Sequence, residues 1–417
     1  MNPLLVSGFG TAINVENRRL VVSNKSENRF LEFYPHKIDH DSIIIDGYTG
    51  YISFEAMRWL SKHDISMTLL NWNGGLLSVS LPEQPKSGKL RINQYRKYLD
   101  GDLRFEIARS IVEVKVEKSL ELLSILSEYY DFIDIYKIKK TIDDERNFLS
   151  QSVKKSTNDK KDIAFLLKRL MNYEGKCATV YLGEITKTFS EIAPEFNFQN
   201  RKNKSYSRNY NASDEINALF NYGYSILESE IRKAINTAGL DYSIGFLHEI
   251  NQSRTSLVYD IQELFRWLID LSITQLLEEK KLTKKDFLIT ENYNVRLKPK
   301  TAQLLIQKIM NNFNKKSPYK RNKNHTYQNI LLDNVQMLAN FVSDKIKNLE
   351  FNIPSIEVES SFDFKKIKQE LLKMTPNKRK QLGINKSTLW YLKKGLESGK
   401  KPKIYKKVLE KLDTSLA

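Results

Sequence analysis

Two different spacings of apolar residues divide the chain near residue 90. Before that point, short apolar and β-branched runs alternate with Gly, Asn and Asp, which is typical of strands joined by turns. Asn73-Gly74-Gly75 predicts a hairpin turn. The strands that this pattern predicts are Ala12–Val15, Leu20–Val22, Ser42–Ile45, Ser66–Leu70 and Leu76–Leu81, with one helix over Ser53–Lys62.

From about residue 92 onward the apolar residues recur every three or four positions, as they do on one face of a helix. The helices that this spacing predicts are Leu103–Tyr130, Asp162–Leu182, Asp214–Leu240, Ser253–Glu279, Thr301–Asn314 and Gln328–Leu349. Linkers are indicated at Pro82–Gly88 and Asn352–Ser355. We therefore expect an α+β multidomain protein: a β-rich domain over 1–90, an all-α catalytic domain over 91–350, and a small helical domain over 355–417.

Composition adds a probable partner class to this outline. The chain has 417 residues, 41% of them hydrophobic, and a formal net charge of +17, so it is a folded protein whose surface suits nucleic acid. A merely solubilising charge is the competing interpretation. A single cysteine, Cys177, excludes an internal disulfide, and no secretory signal or membrane-spanning stretch is visible. We expect a cytoplasmic protein that does not contact membranes.

The C-terminal segment carries most of the positive charge. Residues 363–412 contain sixteen basic residues against four acidic ones, a net charge of +12. Around Gly383, which suits a tight turn, the pattern predicts a helix-turn-helix with a core of Leu382, Ile384, Leu389 and Leu392. The side chains expected to face DNA are Lys386, Ser387, Thr388, Tyr391, Lys393 and Lys394. Arg379 stands where such motifs usually have a small residue. Two other interpretations of this segment therefore stay open: a basic three-helix domain that binds DNA without reading its sequence, or one that binds a partner.

The candidate chemistry lies between residues 245 and 266. His248 precedes a predicted helix that carries Asp260 and Glu263, and a spacing of three residues places both carboxylates near one face. Histidine with convergent carboxylates is typical of metal sites. Spacing alone leaves a core histidine and a solvated acidic face as alternatives. Glu174 is a candidate third ligand, because it lies in an otherwise apolar helix; an acid that complements the helix dipole is its alternative.

Four blocks of sequence, in this order, resemble the CRISPR adaptation integrase superfamily. They are Glu174-Gly-x-x-Ala-x-x-Tyr, the segment from Ser213 to Leu227, the segment from Ala238 to His248, and Asp260-Ile-x-Glu263-Leu-Phe-Arg. Val6-Ser-Gly-Phe-Gly, Asp46-Gly-Tyr-Thr-Gly and Ala56-Met-Arg-Trp-Leu resemble the β-domain of that superfamily. The resemblance covers roughly residues 1–345. The motif Gly383-Ile-x-Lys-Ser-Thr-Leu-Trp-Tyr is similar to the tails of casposases, the transposon-borne relatives, which commonly end in a helix-turn-helix.

This resemblance implies a catalytic set of Glu174, His248, Glu263 and Asp260. Glu174, His248 and Glu263 would hold Mn²⁺ or Mg²⁺, with Asp260 beside them, and the protein would be a homodimer, or a higher oligomer on DNA, built through its β-domains. The implied activity is that of a divalent-metal-dependent DNA strand transferase that joins 3′-OH donor ends to target DNA. A CRISPR adaptation integrase, a branched-DNA endonuclease and a non-catalytic DNA-binding regulator remain alternatives.

Two basic loops are expected to follow the backbone of double-stranded DNA. One spans 201–208 and the other 315–323. Their candidate DNA-contacting side chains are Arg201, Lys202, Lys204, Arg208, Lys320, Arg321 and Lys323.

Overall fold

The computed structural model describes residues 1–417 except 25–27, 48, 72, 84, 86, 131, 157–162, 202–211, 251–254, 291–293, 321–322, 358–370, 398–407, 409–410 and 413–417. The chain divides into two compact units. The first unit consists of Met1–Lys118 and Asn147–Pro354, and the second of Ser119–Arg146 and Ser355–Ala417. The break at Pro354 falls inside the second predicted linker. The β-rich segment and most of the helical segment belong to one unit.

Two four-stranded sheets form the N-terminal part of the first unit. Their strands are β1 (Pro3–Ser7), β2 (Thr11–Glu16), β3 (Arg19–Asn24), β4 (Arg29–Phe33), β5 (Ser42–Asp46), β6 (Gly50–Ile52), β7 (Ser66–Leu70) and β8 (Leu76–Ser80). One sheet has the order β1-β5-β7-β8 and the other β4-β3-β2-β6. In the first sheet β5 pairs in parallel with both β1 and β7, and the helix α1 (Phe54–Lys62) makes part of the crossover between β5 and β7.

The core of these sheets is built from buried apolar residues of the strands and of α1. Leu4, Ile13, Leu20 and Ile43 are buried and cluster with Trp59 of α1. Every residue of β1 is buried, so its sequence lacks the alternation by which a half-exposed strand is recognised. β1 was not predicted, whereas β2, in which buried and partly exposed residues alternate, was.

The predicted turn at residues 73–75 is confirmed. β7 and β8 pair antiparallel on either side of it, and Gly74 has φ +77°, a conformation that favours glycine. The side-chain oxygen of Asn73 accepts a hydrogen bond from the Gly75 amide at 2.9 Å.

Helices dominate the chain from residue 88 onward, in both units, and all six helices predicted there are present. The helices from residue 88 to 342 are α2 (Gly88–Leu99), α3 (Gly101–Leu126), α4 (Ile135–Ser156), α5 (Ile163–Ile192), α6 (Glu215–Ala238), α7 (Ser256–Glu278), α8 (Pro299–Asn314) and α9 (Tyr327–Val342). No helix in the described part of the chain is long and apolar enough to cross a membrane.

The expectation of an all-α segment over 91–350 is wrong in one respect. Two short antiparallel pairs interrupt the helices: β9 (Phe287–Ile289) with β10 (Val295–Leu297), and β11 (Lys316–Pro318) with β12 (Asn324–Thr326). Of the basic segment 315–323 that was expected to be a loop, residues 316–318 form β11, and β12 begins directly after the segment. Strands of three residues are too short to produce a period-two signal.

Helices α6 and α7 pack closely at the centre of this helical region. A Cβ built on Gly223 of α6 would lie 2.6 Å from the side chain of Ile269 in α7, so the helices approach at a point where only glycine fits. Asp214 caps the start of α6 by accepting the Asn217 amide at 2.7 Å, and Gly239 ends the helix with φ +80°. Because α7 is surrounded by other helices, it is buried on almost every side.

The second unit has its own small core. Leu371, Ile384, Leu389, Leu392 and Leu412 are buried in it. Two helices, α10 (Pro376–Gln381) and α11 (Lys386–Glu397), are joined by a turn at Gly383, whose φ is +59°. The apolar residues predicted for this core are therefore the ones that pack.

Candidate active site

Helix α7 places two carboxylates in the interior of the first unit. Asp260 is fully buried and Glu263 is 7% exposed. Buried carboxylates are stable as ions only when charges or hydrogen-bond donors surround them. The partners of these two acids therefore define what each one does.

Asp260 holds the segment that carries His248. Its carboxylate accepts hydrogen bonds from the backbone amides of Phe246, Leu247 and His248, and from Nδ1 of His248 at 2.8 Å. Gly245 permits this arrangement, because a Cβ there would lie 2.9 Å from the Asp260 carboxylate and closer still to Ser256. Both oxygens of Asp260 are thus occupied by the protein itself.

The contact with Asp260 also sets the chemical state of His248. Burial lowers the pKa of the imidazole, but the hydrogen bond and charge of Asp260, with the charge of Glu263, outweigh it and raise the pKa above its usual value. A carboxylate that engages Nδ1 leaves Nε2 as the nitrogen available to a ligand. Asp260 is therefore placed to orient His248.

Glu263 faces Glu174 across a lysine. Lys115 of α3 donates a hydrogen bond to Glu174 Oε1, and its Nζ lies 2.5 Å from Glu263 Oε2. Glu263 Oε2 is buried, and this ammonium is its charged partner. Arg266 lies 3.3 Å from the other oxygen, Oε1. Burial raises the pKa of Glu263, but Arg266 and Lys115 lower it more, to about 2, so this carboxylate is charged at neutral pH.

Glu174 lies well inside its helix. It is eleven residues from the start of α5 at Ile163, so the helix-dipole explanation does not account for an acid at this position. Its side chain is 23% exposed and meets Lys115. Its neighbours on the helix, Tyr173 and Cys177, are buried.

A second buried network supports the far side of Glu263. Arg266 lies over the ring of Tyr224 at 4.3 Å, and the hydroxyls of Tyr224 and Tyr181 each donate to Asp270 at 2.6 Å. Burial raises the pKa of Asp270 above its usual value, although the two tyrosines and nearby arginines oppose this shift. Through Arg266, the carboxylate of Glu263 is thus connected to a buried set of side chains that contact one another. Sequence reasoning missed Lys115 and Asp270, which lie in helical patterns that gave no signal for them.

The donor set fits a divalent ion in its chemistry: two carboxylates and an imidazole nitrogen. As the described residues stand, however, no three His, Cys, Asp or Glu side chains come close enough together to hold a metal ion. Lys115 lies between the two carboxylates, where such an ion would be expected. The buried Oε2 of Glu263 already pairs with one cation, the Lys115 ammonium, so it lies where a cation is favoured.

The residues expected to contact DNA have different surroundings. Arg201 donates to Asn217 at 2.8 Å and lies over the ring of Phe220, so its guanidinium is engaged within the fold. Lys320 pairs with Asp333 at 2.6 Å. Lys323 adjoins β12, and Lys202, Lys204, Arg208 and Arg321 lie outside the described residues.

In the second unit, α11 presents Lys386, Ser387 and Tyr391 to solvent, with Thr388 half-buried. Lys393 instead donates to the carbonyl oxygens of Leu372 and Met374, at 3.0 and 3.2 Å. Lys394 lies over the ring of Trp390, a side chain that is 61% exposed and was not among the expected contacts.

The turn of the second unit explains the charged residue at position 379. The guanidinium of Arg379 donates to the carbonyl oxygen of Ile384 at 2.7 Å. Lys411 donates to the carbonyl of Gly383 at 3.0 Å. A charged side chain is compatible with this turn because it satisfies a turn carbonyl.

Glu174 lies on α5, Glu263 on α7 and His248 in the segment between α6 and α7, all in the same unit as the two sheets. Comparison with known proteins gives the family. Residues 4–311 match the family model described as CRISPR associated protein Cas1. The chain belongs to the Cas1 family.

Individual relatives agree with this assignment. A CRISPR-associated endonuclease Cas1 of Archaeoglobus fulgidus is 29% identical over 337 residues, which cover 79% of this chain and 93% of the relative. One from Francisella tularensis subsp. novicida is 28% identical over 286 residues, 67% of this chain and 80% of the relative.

Among solved structures, a casposase bound to integration product is similar with a TM-score of 0.74 and 34% identity, covering 89% of this chain and 99% of that one. A Cas1 protein from Thermotoga maritima has the same fold, with a TM-score of 0.64 at 18% identity over 85% of this chain and all of the other. The resemblance to casposases and their superfamily is confirmed.

Proposed function

We propose that this protein is a casposase-type DNA strand transferase that joins 3′-OH ends of donor DNA to target DNA with the help of a divalent metal ion. The observation that carries this proposal is the 34% identity and 89% coverage in the match to a casposase bound to integration product. The family model ends at residue 311, and 106 residues follow it. The casposase match leaves only 11% of the chain uncovered, so it includes part of this later segment.

In the proposed reaction, the 3′ oxygen of the donor end bonds to a phosphorus of the target strand. The bond from that phosphorus to its own 3′ oxygen breaks, and the released oxygen becomes a new 3′-OH by taking up a proton, while the donor hydroxyl loses one. One phosphodiester replaces another, so no nucleotide cofactor is required.

Glu174, Glu263 and Nε2 of His248 would hold Mn²⁺ or Mg²⁺, which would stabilise negative charge on the phosphate and on the leaving oxygen. Asp260 would keep His248 oriented through Nδ1 and the three backbone amides. Arg266 would keep Glu263 ionised and fixed, supported by Tyr224 and Asp270. An imidazole in the ligand set suits Mn²⁺ somewhat better than Mg²⁺.

The second unit would bind DNA through α10 and α11 as a helix-turn-helix. Exposed polar side chains at the start of α11 and the exposed aromatic pair Trp390 and Tyr391 suit a groove and its phosphates. The N-terminal β-rich segment exposes large apolar side chains, including Phe9 between β1 and β2 at 64% and Phe54 at the start of α1 at 76%, which supports a homodimer through this region. A dimer supplies the two active sites that joining two donor ends requires.

An integration assay tests this proposal. The purified chain is incubated with a 3′-OH oligonucleotide duplex, a plasmid and Mn²⁺ or Mg²⁺, and the junctions are sequenced. Joined products with a target duplication of fixed length are expected from the wild-type protein. Glu174→Gln should abolish joining while retaining DNA binding; joining at the normal rate by this variant would contradict the assignment of Glu174.

A role as a CRISPR adaptation integrase is the second candidate, because the curated relatives named above are CRISPR-associated endonucleases. The same assay separates the candidates when the target is varied. Preference for a plasmid carrying a repeat array, and for short duplexes of uniform length, would favour this role. Cleavage of flaps and junctions without joining would favour a branched-DNA nuclease.

A further inference from the structure

The ammonium of Lys115 lies between two carboxylates, at the position where the proposed metal ion would bind. Its ammonium contacts Glu174 Oε1 and Glu263 Oε2, the two carboxylate oxygens that face each other between α5 and α7. Those residues lie 59 and 148 positions away along the chain. The lysine therefore joins parts of the site that only the fold brings together.

The two cations around Glu263 have different surroundings. Arg266 contacts Oε1 and lies over Tyr224, and both groups belong to the buried network around Asp270. The Lys115 side chain is 17% exposed, against 33% for Arg266, and its ammonium is carried on a flexible four-carbon stem. Arg266 thus contacts a ring as well as a carboxylate, whereas the ammonium of Lys115 contacts the two carboxylates and can move away on its stem.

Electrostatics explains why a cation is present between the carboxylates. Glu263 is 8% exposed and Glu174 is 23% exposed in their side chains, so two charges of like sign face each other with little water between them. Without a cation, the two carboxylates would repel each other and turn apart. A single positive charge at Lys115 prevents this, and a divalent ion would do so more effectively.

We propose that Lys115 is a built-in counter-ion that holds the carboxylates of Glu174 and Glu263 facing each other, and that a divalent metal ion must displace it to bind. This inference rests on the proposed metal site. Lys115 is a positioning residue in this scheme: it preserves the arrangement of the carboxylates in the metal-free protein and weakens metal binding by competing for the same two oxygens.

Metal binding in the absence of DNA provides the first test. Mn²⁺ is titrated into the full-length protein, and free Mn²⁺ is followed by electron paramagnetic resonance. Lys115→Met removes the competing charge while keeping a similar shape. In the wild type, Mn²⁺ can bind only after the contacts of Lys115 with the two glutamates are broken, whereas the variant has no such contacts. The variant should therefore bind Mn²⁺ about ten- to a hundred-fold more tightly.

Two variants serve as controls for this titration. Lys115→Arg retains the charge and should bind Mn²⁺ no more tightly than the wild type. Lys187 pairs with Glu184 on α5, and its side chain is 59% exposed. Lys187→Met therefore removes a lysine from a surface ion pair and should leave the affinity for Mn²⁺ unchanged.

A second measurement uses the wild-type protein and does not depend on folding of a variant. Amine acetylation followed by mass spectrometry reports how accessible each lysine is. Labelling of Lys115 should rise several-fold when Mn²⁺ is added, while labelling of Lys187 stays constant. Unchanged or reduced labelling of Lys115 in the metal-bound protein would overturn the displacement.

The titration distinguishes failure of this inference from failure of the proposed function. Wild-type binding of Mn²⁺ with no gain in Lys115→Met would overturn the counter-ion role and leave the metal site intact. Absence of saturable binding in both proteins would overturn the metal site, and the counter-ion role with it.

Discussion

Replacing Asp260 by Asn should release the segment that carries His248. The carboxylate accepts four hydrogen bonds in a fully buried position, and two of them, from Phe246 and Leu247, converge on Oδ2. An amide NH₂ at that oxygen's position would face two donors and satisfy neither. Since an unsatisfied buried group costs about 1–3 kcal/mol, the two together cost roughly 2–6 kcal/mol. Rotating the amide only transfers the conflict to the donors of His248.

Hydrogen exchange measures this loss directly. A cost of about 3 kcal/mol to the closed state corresponds to roughly 150-fold faster exchange of the amides at 246–248, up to the limit set by their original protection. Mass spectrometry of a peptide over this segment would show it, with a peptide from α6 as internal reference. Glu249→Gln is the matched control, because this residue of the same segment has a side chain that is 70% exposed and pairs with Arg104 at the surface, so its effect should be small. Equal protection in Asp260→Asn and the wild type would refute the anchoring role.

Two further outcomes are expected. The pKa of Glu263 in the folded protein, about 2, lies below its usual 4.5 because Arg266 and Lys115 outweigh burial, so its stabilising contribution is complete above about pH 4.5 and disappears as pH falls toward 2. Thermal unfolding should therefore show a difference between wild type and Glu263→Gln that shrinks over this interval; a difference independent of pH would contradict the ion pairing. Gly383→Ala, at φ +59°, should destabilise the turn by about 1 kcal/mol and speed amide exchange in α10 and α11 without changing Mn²⁺ affinity.

The long helices were predictable because one face of each packs on a core. Helix α6, for example, starts one residue after Asp214 and ends before Gly239, so capping residues and apolar spacing agreed. Helix α4 was missed because 15 of its 22 residues between Ile135 and Ser156 are polar or charged, which obscures the apolar stripe. Strands such as β9 and β11, at three residues, derive their structure from tertiary pairing that no local pattern encodes.

The site was predictable only as far as its residues lie in recognisable blocks. His248, Asp260 and Glu263 are close in sequence, and the resemblance added Glu174. Spacing alone could not explain why Glu263 was expected to bind the metal and Asp260 to lie beside it. The difference depends on which of the two acids accepts hydrogen bonds from the amides of Phe246 to His248. That choice is made by the turn at Gly245, which brings the segment back onto the first turns of α7.

Lys115 shows why the remaining part could not be predicted. It is one of several charged residues on α3, and its sequence neighbours resemble those of a solvated helix face. Its significance arises because α3 lies against both α5 and α7 at the level where each carries a glutamate. A lysine on a surface gains little from an ion pair, whereas a lysine between two shielded carboxylates offsets the repulsion between them. The same substitution, lysine to methionine, should therefore alter metal affinity at position 115 and leave it unaltered at position 187.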